Sequence, residues 1–323
     1  MQRISTLAIA LVFTSLSLSA QVVLGPDWLM EPGFSMTLFV DGNYSDPQGN
    51  LAKIGANQTW EFTQDLDVND TTFVSARAAS MGTRFDSFPN ADLVFNTEQE
   101  AGFVTATSEV YLDRVGNDLH IIGISDSDPM AVLPTIRLTD PLLFQTAPIT
   151  YLSTTTDQTR LRLTFPPEFL TALTGDSSFV NIIDSLGVSI GQDVDTEVDG
   201  WGTINLQGTS FDALRIRTVT EAFQDIEVKV PFLGWIPITD QIPNIDSTID
   251  FNNQRTVSYS WVVASEPYPI MQIFVDSNEV SQSATYRADP ALSTKENVAQ
   301  VGITAFAQNN TLAITLSSEE LSG

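Results

Sequence analysis

Short strand-like runs, cut at close intervals by turn residues, leave this chain few ways to fold. Residues 35–40, 72–77, 108–113 and 119–122 are rich in β-branched and aromatic side chains, and so are 160–165, 214–219, 257–262 and 270–275. Several alternate polar and apolar residues with period two, the mark of a strand with unlike faces. Val115-Gly-Asn-Asp-Leu119 between two such runs reads as a hairpin turn. The expected fold is therefore all-β: an antiparallel β-sandwich or open barrel. With 323 residues the chain is long enough to bury a large core without cross-links, and it contains no cysteine to make one.

Two stretches depart from that pattern. Pro166-Pro-Glu-Phe-Leu-Thr-Ala-Leu173 reads as a short helix. Asp176 or Ser177 then caps a second, with Phe179, Ile182, Ile183 and Leu186 at helical spacing. This helical excursion is expected to cross one end of the sheets, as a plug on the core or as a lid over a cleft. Val230-Pro-Phe-Leu-Gly-Trp-Ile-Pro-Ile238 is apolar but broken by prolines, which bar it from a central strand. Phe232 and Trp235 are expected to fold back onto the core, and this loop to meet the helices.

The first twenty residues carry an address. Arg3 is followed by the apolar run Leu7-Ala-Ile-Ala-Leu-Val-Phe13, then by small residues up to Ala20. That is the layout of a secretory signal peptide over 1–20, with Gln21 opening the mature protein. No second run is long and apolar enough for a transmembrane segment. The net charge is −26, from 40 acidic and 14 basic residues, and it argues against nucleic acid or anionic membranes as partners.

Familiar catalytic patterns are missing. His120 is the only histidine, so a Ser-His-Asp triad would have to use it, and it reads as a strand-surface residue. There is no G-x-S-x-G elbow and no phosphate-cradling glycine loop. Catalytic site residues and cofactors are accordingly assigned as none. The acidic stretch Asp193-Val-Asp-Thr-Glu-Val-Asp199, if extended, sets Asp193, Asp195, Glu197 and Asp199 on one strand face. Their hard oxygens suit calcium; the competing reading is a solvated edge strand whose charges discourage pairing. Asp41-Gly-Asn-Tyr-Ser-Asp46 is a second oxygen-rich stretch, read as a turn.

Gly55-Ala-Asn-Gln-Thr-Trp-Glu-Phe62 resembles a segment near the start of uncharacterised exported proteins of the Bacteroidota. Asp199-Gly-Trp-Gly-Thr-Ile-Asn-Leu206, continuing through Gly208-Thr-Ser-Phe-Asp-Ala-Leu-Arg-Ile-Arg217, resembles a hairpin of the same proteins, and Tyr259-Ser-Trp261 and Pro269-Ile-Met-Gln-Ile273 fit their closing strands. Trp60, Trp201 and Trp261 would anchor the core, with Gly200 and Gly202 permitting close backbone approach. The tail, Val301-Gly-Ile-Thr-Ala-Phe306 followed by Leu312-Ala-Ile-Thr-Leu316, resembles the opening strands of a type IX secretion C-terminal sorting domain.

The expected organisation is a signal peptide over 1–20, a β-sandwich region over 21–290 with a sub-domain boundary near 125–130, and the start of a truncated sorting domain over 298–323. The expected protein is secreted or held at the outer cell surface, or periplasmic if the tail is no sorting signal. Its export machinery is one partner, and a glycan or surface protein is the expected ligand. A non-enzymatic binding or structural role leads. The alternative is a glycan-active hydrolase using paired carboxylates, a deep cleft and an aromatic floor.

Overall fold

The structure is a computed structural model that describes residues 21–63, 66–97, 108–126, 135–168, 170, 182–238, 254–288, 301–308 and 311–318. In chain order the strands begin with β1 (Val23–Leu24), β2 (Ser35–Asp41), β3 (Gly55–Phe62), β4 (Asp70–Ala78), β5 (Leu93–Thr97) and β6 (Ser108–Val115). There follow β7 (Asp118–Asp126), β8 (Ile136–Thr146), β9 (Ile149–Thr150), β10 (Thr154–Phe165), β11 (Ser185–Leu206) and β12 (Thr209–Val230). The last are β13 (Gly234–Pro237), β14 (Gln254–Val263), β15 (Glu266–Val275), β16 (Ser281–Arg287), β17 (Val301–Gln308) and β18 (Thr311–Ser318). Each of the eight runs read from the sequence lies within one of these strands.

One 14-stranded sheet takes in most of them, in the order β10-β11-β12-β14-β15-β16-β2-β4-β5-β6-β7-β8, with β13 added to β12 and β3 to β11. The path is antiparallel throughout; among the described strands β3 alone runs parallel to its partner. The ends of the path come side by side. Thr139 Oγ1 donates to the Arg160 carbonyl at 3.2 Å and Thr159 Oγ1 to the Asp140 carbonyl at 2.7 Å, and the Leu143 N–H donates to the Asp157 carboxylate. No backbone ladder joins β8 to β10 among the described residues, so the sheet is open and not a closed barrel.

Alternation sorts side chains to the two faces of this curled sheet. On β14, Val257, Tyr259, Trp261 and Val263 enter a core outside the curl, where Trp60 and Phe62 of β3 meet them. The Trp261 ring lies edge-on to Trp60 at 5.9 Å and to Phe62 at 5.0 Å. Inside the curl, Leu214, Ile216 and Val262 pack with Leu24, Trp28 and Trp201. Met36, Leu38, Val74, Phe95 and Leu112 fill the far half. Sheet strands buried on both faces explain why many runs are apolar beyond simple alternation.

The glycines of the Asp199–Leu206 segment do what close approach requires. A Cβ on Gly202 would stand 2.0 Å from the Gln58 carbonyl oxygen, and one on Gly200 would stand 3.0 Å from the Trp60 ring. Parallel β3 can therefore lie against β11 only because these positions lack side chains. Gly116 begins the two-residue turn between β6 and β7 with φ of 66°, as the sequence implied.

Two expectations need correction. The helical spacing drawn through Leu186 fails: β11 starts at Ser185, and Leu186 pairs with Phe165 and Val228 in the sheet. Its apolar neighbours are satisfied by the long β11–β12 hairpin, whose ladder outcompetes a short helix. Leu170 N–H donates to the Pro167 carbonyl at 3.0 Å, a single turn; residues 171–181 lie outside those described. Leu170 and Ile183 pack on Leu186, Ile226 and Val228, with Ile236 and Ile238 against them, so this segment and the 230–238 loop do meet. Phe232, expected to fold back, is instead fully exposed. The tail forms an antiparallel hairpin of β17 and β18.

Candidate functional site

A cavity of about 270 Å³ lies inside the curl, where β8 faces the β10–β15 side of the sheet. Register builds one wall. Thr155 of β10 pairs with Thr196 of β11, and Thr196 with Thr218 of β12, so three hydroxyls stand in one row across three strands. A second row runs from Ile216 to Ser260 of β14 to Gln272 of β15. Trp28, Phe144, Gln145, Ile149, Val262 and Tyr268 are among the other lining residues.

The cavity is apolar and hydroxylic, and it is uncharged. Among the described residues no carboxylate, histidine, lysine or arginine lines it. Among the described residues of the lining Tyr268 is the titratable one; burial pushes the phenol up to about 12, which keeps it neutral at physiological pH. Its ring stacks on Phe95 at 6.0 Å. Gln145 is fixed: its Oε1 accepts from Met30 N–H at 2.9 Å and its Nε2 donates to the Pro267 carbonyl at 2.6 Å. Trp28 is buried and its indole N–H has no partner. Its donors, acceptors and hydrocarbon surface are the features by which a site recognises a small molecule.

The acids of residues 193–199 are elsewhere. Val194 and Thr196 face the cavity, so Asp193, Asp195 and Glu197 lie on the opposite, outward face of β11. Asp193 pairs with Arg160 at 2.6 Å, Asp195 accepts from Thr156 Oγ1 at 2.7 Å, and Glu197 lies opposite Arg217. A register shift between Val198 and Gly200 separates Asp199 from the other three; it is buried and grips Arg215. β11 is not an edge strand: β10 and β12 flank it, which corrects the solvated-edge reading. Among the described residues no group of three carboxylates or histidines converges on a point where a metal could sit.

Several other polar groups are occupied by the fold. Asp46 accepts from Asn50 N–H at 2.9 Å and Leu51 N–H at 2.8 Å, and Asp41 accepts from Asn43 N–H at 3.0 Å and Asp67 N–H at 3.1 Å. The 41–46 segment is thus a hydrogen-bonded turn. Glu109 takes Arg77, the Thr83 N–H and the Tyr111 hydroxyl, and burial pushes the Tyr111 phenol up to about 12, with the Glu109 charge adding to the rise. His120 sits half-buried on β7 between Asp113 of β6 and Leu143 of β8, its Nδ1 unpartnered, and is not part of the cavity lining.

The cavity escaped the sequence reading because threonine and serine at inward positions look like any strand residues. The one local signal is Val257-Ser-Tyr-Ser-Trp-Val262, where alternation sets hydroxyls on one face and aromatics on the other. Recognising both faces as buried would have marked those serines as unusual.

Among solved structures the chain is similar to an exported protein, so described, with a YmcC-like fold from Bacteroides fragilis. The identity is 8%, the match covers 83% of this chain and 98% of that one, and the TM-score is 0.28. No family model and no curated protein matches the chain. No helix among the described residues is long and apolar enough to cross a membrane.

Proposed function

We propose that this is an exported, non-catalytic binding protein whose ligand occupies the cavity inside the curled sheet. The observation that carries this reading is the lining: an uncharged, hydroxyl-bearing pocket inside a chain of net charge −26. Among the described residues no charged side chain is in the lining, and Asp157, on the same face of β10 as Thr155, is taken up by the Leu143 N–H; both features favour neutral occupants. The ligand class is a small neutral molecule with both hydrocarbon surface and hydroxyl or carbonyl groups. Such a molecule pairs with the threonine row and buries its apolar part on Trp28, Ile149 and Val262.

The signal peptide over 1–20 supports export, and the tail supports a route to the cell exterior. Paired-carboxylate hydrolysis gains no support from this cavity, since no carboxylate among the described residues lines it. Native mass spectrometry of the processed protein, purified from an exporting host, provides the test. The proposal expects a discrete small-molecule adduct lost on unfolding. Apo protein alone, with no adduct after incubation with a panel of neutral amphiphiles, would contradict it.

A further inference from the structure

The tip of the β12–β13 hairpin exposes side chains that the fold itself does not use. Leu233 N–H donates to the Val230 carbonyl at 3.1 Å, closing a turn over Val230, Pro231, Phe232 and Leu233. Phe232 has φ of 65°. Proline at the second position cannot take a positive φ, so only a type II turn fits, and its third position favours glycine. Phenylalanine there carries a cost of roughly 1 kcal/mol in backbone strain. It also gains nothing from burial: Phe232 is 108% exposed and Leu233 73% exposed. A sequence chosen for stability alone would place glycine at 232 and a polar residue at 233.

Behind this pair the chain changes character in a layer. Lys229 and Trp235 are direct register partners, about two residues, or roughly 7 Å, short of the apex. Trp235 is half-buried, with its ring over Gly187 and the Arg162 guanidinium 4.8 Å from its centre. Arg162 is in turn neutralised by Glu227 at 2.7 Å. The layers therefore run apolar apex, then one tryptophan and one lysine, then paired charges. A bilayer interface has the same order: acyl chains, then the zone where tryptophan and snorkelling lysine settle, then water. Among the described residues of this tip the exposed apolar surface is the two side chains of Phe232 and Leu233, less than the broad apolar patch of a protein interface.

We propose that Phe232 and Leu233 insert into a lipid surface with zwitterionic headgroups and dock the protein there. The net charge of −26 selects zwitterionic over anionic lipid. The test is flotation of the chain from Gln21 onward with phosphatidylcholine vesicles, alongside Phe232→Gly and Leu233→Ser. The expected result is flotation of the wild type, with the partition coefficient falling at least about tenfold in Phe232→Gly, the equivalent of burying one large apolar side chain. Its melting temperature should be unchanged or higher, since the strained turn is relieved. A wild type that stays in the soluble fraction, or a Phe232→Gly variant that floats equally well, would overturn the proposal. So would Phe232-dependent capture of a protein without vesicle binding, which would assign the tip to a protein partner.

Discussion

Arg215 is the buried charge on which the geometry makes its sharpest demand. Its side chain is 1% exposed and that of Asp199 9%. Arg215 Nε meets Asp199 Oδ1 and Nη2 meets Oδ2, each at 2.8 Å. Its Nη1 donates to the carbonyls of Asn50 at 3.1 Å and Leu51 at 2.8 Å, and the guanidinium lies 5.2 Å from the Tyr259 ring centre. Asn50 in turn accepts from Glu61 N–H at 3.0 Å and donates to the Glu61 carbonyl at 2.7 Å. One guanidinium thus ties β11 and β12 to the 50–52 turn and, through it, to β3. Arg215→Met keeps the apolar stem but strands a buried carboxylate and two carbonyls. Breaking such a pair from one side costs about 3–5 kcal/mol. Adding Asp199→Asn removes the stranded charge and should return about 2 kcal/mol or more of that loss. The assay is urea unfolding followed by tryptophan fluorescence, since Trp60 and Trp261 share the adjoining core. The slope against urea should stay constant while the midpoint falls. A loss below about 1 kcal/mol, the range of exposed pairs, would refute the reasoning.

Three further outcomes follow from named contacts. Gly202→Ala should cost about 2 kcal/mol or more, because its Cβ would meet the Gln58 backbone, and β3 amides should lose hydrogen-exchange protection. Burial, and after it the Asp92 charge, raise Asp113 above its ordinary carboxyl value of 3.8, so the native state holds that proton more tightly than the unfolded chain. Its ionisation therefore removes stability as pH rises past that range; Asp113→Asn should raise the melting temperature at pH 7 and leave it unchanged below pH 3.8. With Asp193 and Asp195 engaged by Arg160 and Thr156, calcium and chelator should give equal melting temperatures; a rise with calcium would assign the 193–199 acids to a metal.

Strand identity was legible because period two and turn residues are local signals. The anchoring role of Trp60 and Trp261 was legible for the same reason, and Gly200 and Gly202 announced close approach before β3 was known to supply it. Leu186 misled, since Phe179, Ile182, Ile183 and Leu186 fit helical spacing while the partners that hold Leu186 in a strand, Phe165 and Val228, lie far away in sequence. Phe232 misled because apolar residues are expected inside, and only the turn geometry sets this one outside. The cavity was invisible for a different reason. Thr155, Thr196 and Thr218 become a row only through the register of three strands, and register is a long-range property.

The central claim, that the uncharged cavity is the binding site, is tested most directly by filling it. Thr218→Phe places a ring where the hydroxyl row stands. A neutral ligand at 100 times its dissociation constant should stabilise the wild type by about 2.7 kcal/mol. The same ligand should leave a folded Thr218→Phe protein unshifted. Equal stabilisation of both proteins would place the ligand elsewhere and contradict the account.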